Sequence, residues 1–144
     1  MSSIIEVCNE LVRVVRKVEG LEKVDGPRNS FNNYPFAVVF PGSGSWTKAT
    51  HTSRNGPPTY GGEQSILIDC HVQRAQLDSA LARIEHLPDA IPAAIMLDML
   101  ETKLGGTTQE VQEIKWLLTT LGWGSVETLG YRFTVTVKLQ KDVE

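Results

Sequence analysis

Read for the spacing of its apolar positions, the chain opens with Ile4, Cys8, Leu11, Val15 and Val18 at helical intervals. Glu6, Glu10, Arg13, Arg16 and Lys17 fill much of the remainder. The pattern predicts an amphipathic helix over residues 3–19, capped by Ser2 or Ser3 and ended by Gly20 as a C′ glycine. After the turn-rich stretch holding Asp25-Gly26-Pro27 and Asn32-Asn33, the run Phe36-Ala37-Val38-Val39-Phe40 reads as a buried strand stopped by Pro41-Gly42.

Residues 41–63 carry Pro41, Gly42, Gly44, Gly56, Pro57, Pro58, Gly61 and Gly62, interleaved with Trp46, His51, Arg54 and Tyr60. They predict a long glycine/proline-rich loop, and a connection of that length is usually functional. From Ile66 to Val72, Ile66, Ile68, Cys70 and Val72 alternate with Leu67, Asp69 and His71, which predicts a strand with one wet face.

A helix follows over residues 75–87 with Leu77, Leu81, Ile84 and Leu87 on its stripe. A second is capped by Asp89, has Pro92 in its first turn, faces Ile91, Ile95, Met99 and Leu100 inward, and ends at Gly105-Gly106. From Thr107 the alternation is strand-like but unclean: Val111, Glu113, Lys115, Leu117 and Thr119 oppose Gln112, Ile114, Trp116, Leu118 and Thr120, as if both faces were partly covered. Leu121-Gly122-Trp123-Gly124 marks a turn. The clearest strand comes last, with Leu129, Tyr131, Phe133, Val135, Val137 and Leu139 against Thr128, Arg132, Thr134, Thr136, Lys138 and Gln140. The expected fold is α+β over residues 1–144 as one domain: an antiparallel or mixed four-stranded sheet with helices on one face and a loop arm at about 41–63.

At 144 residues, 41% of them hydrophobic, the chain is long enough for one core to bury roughly two thirds of the surface that the unfolded chain exposes. Disorder and rod-like architectures are excluded. The longest apolar run, Ile91 to Leu97, is far below the ~20 residues of a membrane-spanning helix. The first residues lack the basic and apolar regions of a secretory signal, so a cytosolic site of synthesis and assembly is expected. A net charge of −3 gives no footprint of a sequence-specific nucleic-acid binder. Cys8 and Cys70, far apart and among apolar neighbours, read as buried free thiols.

The chemistry-bearing residues form no recognisable catalytic set. Pro41-Gly42-Ser43-Gly44-Ser45 follows a strand, but Trp46 stands where a phosphate loop needs its Lys-Ser/Thr pair. In Asp69-Cys70-His71, strand alternation sends the thiol to one face and the other two to the opposite one, so no Cys/His dyad forms. His51, His71 and His86 lack metal-ligand spacing and read as satisfied surface or edge histidines. Asp98 with Glu101, near Lys103, reads as a solvated helix face. Trp46, Tyr60, Trp116 and Trp123 read as core or interface anchors, with Trp46 and Tyr60 the two most exposed. No cofactor or metal is expected. The partner-interface candidates are Trp46, Arg54, Tyr60 and Trp123.

Three stretches carry a family resemblance: Tyr34-Pro35-Phe36-Ala37-Val38-Val39-Phe40-Pro41-Gly42-Ser43-Gly44, Leu87-Pro88-Asp89-Ala90-Ile91-Pro92-Ala93-Ala94, and Leu121-Gly122-Trp123-Gly124 followed by Glu127 to Val137. They resemble the tail terminator and neck proteins of long-tailed bacteriophages over about residues 4–140. The resemblance is one of profile and element order, and transfers no position-specific motif. It implies a homo-oligomer, a ring of six, seated on the last tail-tube ring, where it stops tube growth and offers a surface to the head connector or head-closure protein. Genomic DNA would pass through the lumen without sequence-specific binding. It implies no enzyme chemistry, no membrane, and a place in the tail or neck of the virion after assembly in the host cytoplasm. A head-closure or adaptor protein of the same neck is the nearest alternative. A small ligand-binding or hydrolytic α+β domain, using the glycine-rich segment with Asp69 and His71, is a reading from a different class.

Overall fold

The structure, a computed structural model, describes residues 3–21, 23–25, 35–48, 59–72, 77–108, 110–123 and 126–142. Its first element is α1 (Ile4–Val15), started by the Ser3 hydroxyl, which accepts from the Glu6 amide at 3.2 Å. Satisfying one of the free amides of the first turn is what a serine cap contributes. Val7, Leu11, Val14 and Val15 are buried along the inner side. The helix ends four residues before the expected stop, because Lys17 and Val18 bond back three residues to Val14 and Val15 in a tighter turn. Gly20, at φ +96°, closes that turn instead of the helix itself.

Among the described residues six strands make one mixed sheet: β1 (Lys23–Asp25), β2 (Phe36–Gly44), β3 (Thr47–Lys48), β4 (Thr59–Val72), β5 (Glu110–Trp123) and β6 (Val126–Asp142). Their order is β1-β2-β4-β6-β5, with β3 also on β4. Only the β1–β2 pairing is parallel; the other neighbours run antiparallel. The expected four strands are therefore too few. Two- and three-residue strands leave no alternation long enough to read.

The expected loop at 41–63 is also corrected. Pro41–Gly44 extends β2 across a register shift, Thr47–Lys48 forms β3, and Thr59–Glu63 is the outer end of β4. Proline is tolerated in a sheet at such an irregularity, where a ladder bond is already missing. Gly44 and Gly62 allow the close approach, since a Cβ on Gly62 would lie 1.8 Å from the Ser45 carbonyl oxygen. Residues 49–58 lie outside the described residues.

The helices are α2 (Leu77–Ile84) and α3 (Leu87–Glu101). α3 begins three residues earlier than expected, capped at His86 instead of Asp89, with Pro88 in its first turn and Pro92 inside. Beyond it, Lys103, Leu104, Gly105 and Gly106 all have positive φ and form a left-handed turn. Such a backbone costs roughly 1–2 kcal/mol at each non-glycine residue. Full burial of Leu104 and the bond from the Gly105 amide to the Thr102 hydroxyl, 3.1 Å, offset that cost.

α1 and α3 lie on one face of the sheet. There Ala37 and Val39 of β2, Ile66, Ile68 and Cys70 of β4, and Phe133, Val135 and Val137 of β6 form one core with Leu11, Ile84, Leu87, Ile91 and Ile95. The alternation of β6 is borne out from Phe133 to Leu139, where Phe133, Val135, Val137 and Leu139 are buried and the residues between them are more open. The unclean pattern of β5 comes from a register shift between Val111 and Glu113: Val111 opposes Val137 and Ile114 opposes Val135, so an odd and an even position both reach the core.

Candidate functional site

The sheet face away from the helices holds the densest polar arrangement. Register sets Asp69 of β4 opposite Arg132 of β6, and the guanidinium donates twice, Nε to Oδ1 and Nη2 to Oδ2, both at 2.8 Å. Asp69 is buried, so this bidentate pair is what makes its charge tolerable there. Two residues on, His71 opposes Gly130 and stacks on Phe36, with ring centroids 4.7 Å apart. The Thr128 hydroxyl hydrogen-bonds His71 Nδ1 at 2.5 Å and lies 3.4 Å from the Leu121 carbonyl.

Burial lowers the His71 pKa from 6.5 to about 4; nearby Asp69 pulls it up and Arg132 pushes it further down. The wet face expected for β4 and the surface reading of His71 are thus overturned, because the neighbouring Phe36 and the Thr128 hydroxyl give the imidazole an apolar wall and a bonded partner. Both carboxylate oxygens of Asp69, and Nδ1 of His71, are engaged inside the fold. Cys70 points to the helix side, where burial raises its thiol well beyond the usual range, while Cys8 is raised to about 11. Both cysteines are free and buried, as expected.

A second polar cluster joins α1 to α3. Arg13 donates to Glu10 and, at 2.9 Å, to Asp98, which also accepts from the Thr102 hydroxyl at 2.8 Å. Burial of Asp98 opposes its ionisation, but the bonds from Arg13 and Thr102 prevail and hold its pKa below the ordinary carboxylate value. The solvated face expected for this carboxylate is wrong for that reason. Its Arg13 partner is far away in sequence and left no local signal. Among the described residues no group of three or more His, Cys, Asp or Glu side chains could hold a metal ion. No described helix is long and apolar enough to cross a membrane.

The expected interface residues are dispersed. Trp46, 36% exposed, and Tyr60 share the outer end of the sheet, because Thr47 pairs with Gly61 and Lys48 with Tyr60. Tyr60 is half-buried, less open than expected. Trp123 pairs through its backbone with Val126 at the start of β6, whereas Tyr60 pairs with Lys141 near its end. The two are therefore roughly 50 Å apart at ~3.3 Å per residue. Arg54 lies outside the described residues.

The apolar surface is elsewhere. β5 exposes Trp116, Leu117 and Leu118 at 53%, 60% and 43%, and α3 exposes Met96, Leu97 and Leu100, the last at 86%. Leu100 was expected inside. Ile91, Ile95 and Asp98 already occupy the core side of α3, and Leu100 falls on the opposite one. α3 packs next to β5, so both exposed groups belong to the same end of the sheet. A helix apolar all round and a strand with three consecutive large apolar residues are sequence signals of this surface, since neither element can bury both sides in one small domain. Comparison adds no family to this geometry: no protein-family model matches the chain, and no curated protein matches it significantly.

Proposed function

We propose that the chain is a structural virion protein of a long-tailed bacteriophage, of the tail terminator type. It assembles as a ring of six on the last ring of the tail tube, ends tube growth, and presents a surface to the head connector or head-closure protein. DNA passes through the lumen without sequence-specific contacts. The reading rests on the resemblance carried by residues 34–44, 87–94 and 121–137. The observation that supports it is the exposed apolar surface of α3 and β5: Met96, Leu97 and Leu100 with Trp116, Leu117 and Leu118. Exposed large apolar side chains in this number, on a helix and the edge strand it packs beside, mark a region that a protein partner covers. A ring needs heterologous contacts, in which one face meets a different face of the next copy and the rotation closes.

The protein works here by surface and shape, without bond chemistry of its own. Its place is the tail or neck of the virion, reached after assembly in the host cytoplasm. Deleting its gene from a virus that carries it tests the reading: overlong tubes beside DNA-filled, unjoined heads are expected. Tails of normal length that fail to join would instead assign the chain to head closure or an adaptor. Tails of normal length that join would refute a neck role altogether.

A further inference from the structure

β5 carries a feature that the fold leaves unused. Successive strand residues point to opposite faces, so Trp116 and Leu118 project on the helix side and Leu117 on the other. Among the described residues β5 is bonded to β6 alone. Its outer side therefore offers backbone donors and acceptors together with apolar side chains on both faces, and another strand is the structure that satisfies all of these at once. We propose that a second copy of this chain supplies it: β5 pairs antiparallel with β5 about a two-fold axis perpendicular to the sheet, with Leu117 on the axis.

The choice of occupant and register follows from symmetry and charge. A two-fold axis perpendicular to the sheet keeps each face on its own side, so only residues of like parity can oppose one another. Centring the pair on Glu113 or Lys115 sets identical charges face to face, which is unfavourable. Centring on Ile114 leaves Trp116 opposite Gln112, and centring on Trp116 leaves Leu117 opposite Lys115. Centring on Leu118 leaves Trp116 opposite Thr120. With Leu117 on the axis, Leu117 meets Leu117 and Trp116 meets Leu118 twice, so every exposed apolar residue of the strand faces another.

In that register Lys115 falls opposite Thr119 and Glu113 opposite Leu121, and no like charges meet. Lys115 and Glu113 already lie 3.4 Å apart on their own strand. Trp116 stands edge-on to Tyr131, with centroids 5.8 Å apart, which orients its indole before any partner arrives. A contact made by one strand and three apolar side chains from each copy is small for a specific interface, so the dimer dissociates on dilution. This contact does not rest on the virion reading, although it uses the β5 part of the same apolar surface. A two-fold pair does not generate a six-fold ring, and it describes the free chain before assembly.

Light scattering behind size-exclusion chromatography, over roughly 1 to 100 μM in the full chain, tests it. A concentration-dependent dimer is expected, and Leu117→Lys, which sets two ammonium groups together on the axis, should be monomeric with an unchanged far-ultraviolet circular dichroism spectrum. Leu117→Cys should form a disulfide dimer on mild oxidation, since directly opposed Cβ atoms lie about 4.5–5.5 Å apart in an antiparallel pair, near bridging distance. Thr119→Cys alone should not cross-link, but a mixture of Lys115→Cys and Thr119→Cys chains should. Cys8 and Cys70 are buried and give no background. A monomer at every concentration, a dimer that survives Leu117→Lys, or an uncrosslinked Leu117→Cys chain would overturn the pairing. A Leu117→Cys chain that stays uncrosslinked while free, yet still assembles into a six-fold ring, would overturn it while leaving the tail terminator reading intact.

Discussion

Asp69 and Arg132 face each other across β4 and β6 and share two parallel hydrogen bonds of 2.8 Å. The carboxylate is buried while the guanidinium reaches partly into solvent, so the pair is asymmetric. Removing the arginine strands a buried charge, whereas removing the aspartate leaves a cation that water can still solvate. Arg132→Ala should therefore cost about 2–3 kcal/mol, and Asp69→Asn clearly less. Urea unfolding of the two variants measures the difference; equal losses would show that the pair does not act through Asp69 burial.

His71 makes stability depend on pH in the mildly acidic range. Its folded pKa of about 4 lies below the 6.5 of a free imidazole, so between those values the unfolded chain binds the additional proton. Stability from this group is fully present above pH 6.5 and is lost as pH falls towards 4, by about 3 kcal/mol in total. Unfolding midpoints from pH 7 to pH 4 should fall steeply in the parent chain. In His71→Phe, which retains the stack on Phe36, that part of the slope should vanish.

Gly130 and Gly122, both at the β5–β6 end of the sheet, should respond very unequally to alanine. A Cβ on Gly130 would lie 1.7 Å from the Cys70 carbonyl oxygen, while one on Gly122 meets nothing within 4 Å. Backbone cannot yield as a flexible side chain does. Gly130→Ala should cost more than ~2 kcal/mol, against a few tenths for Gly122→Ala. Thermal melts of the pair suffice, and similar melting temperatures would contradict the close β4–β6 approach.

Neither thiol should react readily in the folded chain. Burial raises Cys8 to about 11 and Cys70 further, and it is the thiolate that attacks a disulfide reagent. At pH 8, titration with an aromatic disulfide should be slow until denaturant is added, after which both cysteines react. Fast release of one equivalent from the native protein would place one of them at the surface.

Much of the fold is legible in one dimension because helix and strand impose different periods on the same code of apolar and polar residues. The stripe of Ile4, Cys8, Leu11 and Val15, the alternation of Ile66 to Val72 on its core side, and the whole of β6 each emerge from spacing alone, as does the grouping of helices on one face. Ser3 as a cap and the buried free state of both cysteines are local consequences of the same kind.

Tertiary structure decided the rest, since it depends on which distant residue stands opposite. Asp69 and His71 sit at positions that alternation assigns to solvent, yet Arg132, Thr128 and Phe36, all remote in sequence, give them partners inside the fold. Asp98 looks like a surface carboxylate until Arg13 is brought to it. Residues 41–63 read as a loop because glycine and proline dominate their local preference, but at 41–48 and 59–63 strand pairing overrides that preference through ladder bonds that no sequence window contains. The outermost place of β5 is likewise a fact of strand order. Only that order leaves the outer side of Trp116, Leu117 and Leu118 without a neighbouring strand among the described residues, turning three ordinary strand residues into the most exposed apolar run of the sheet.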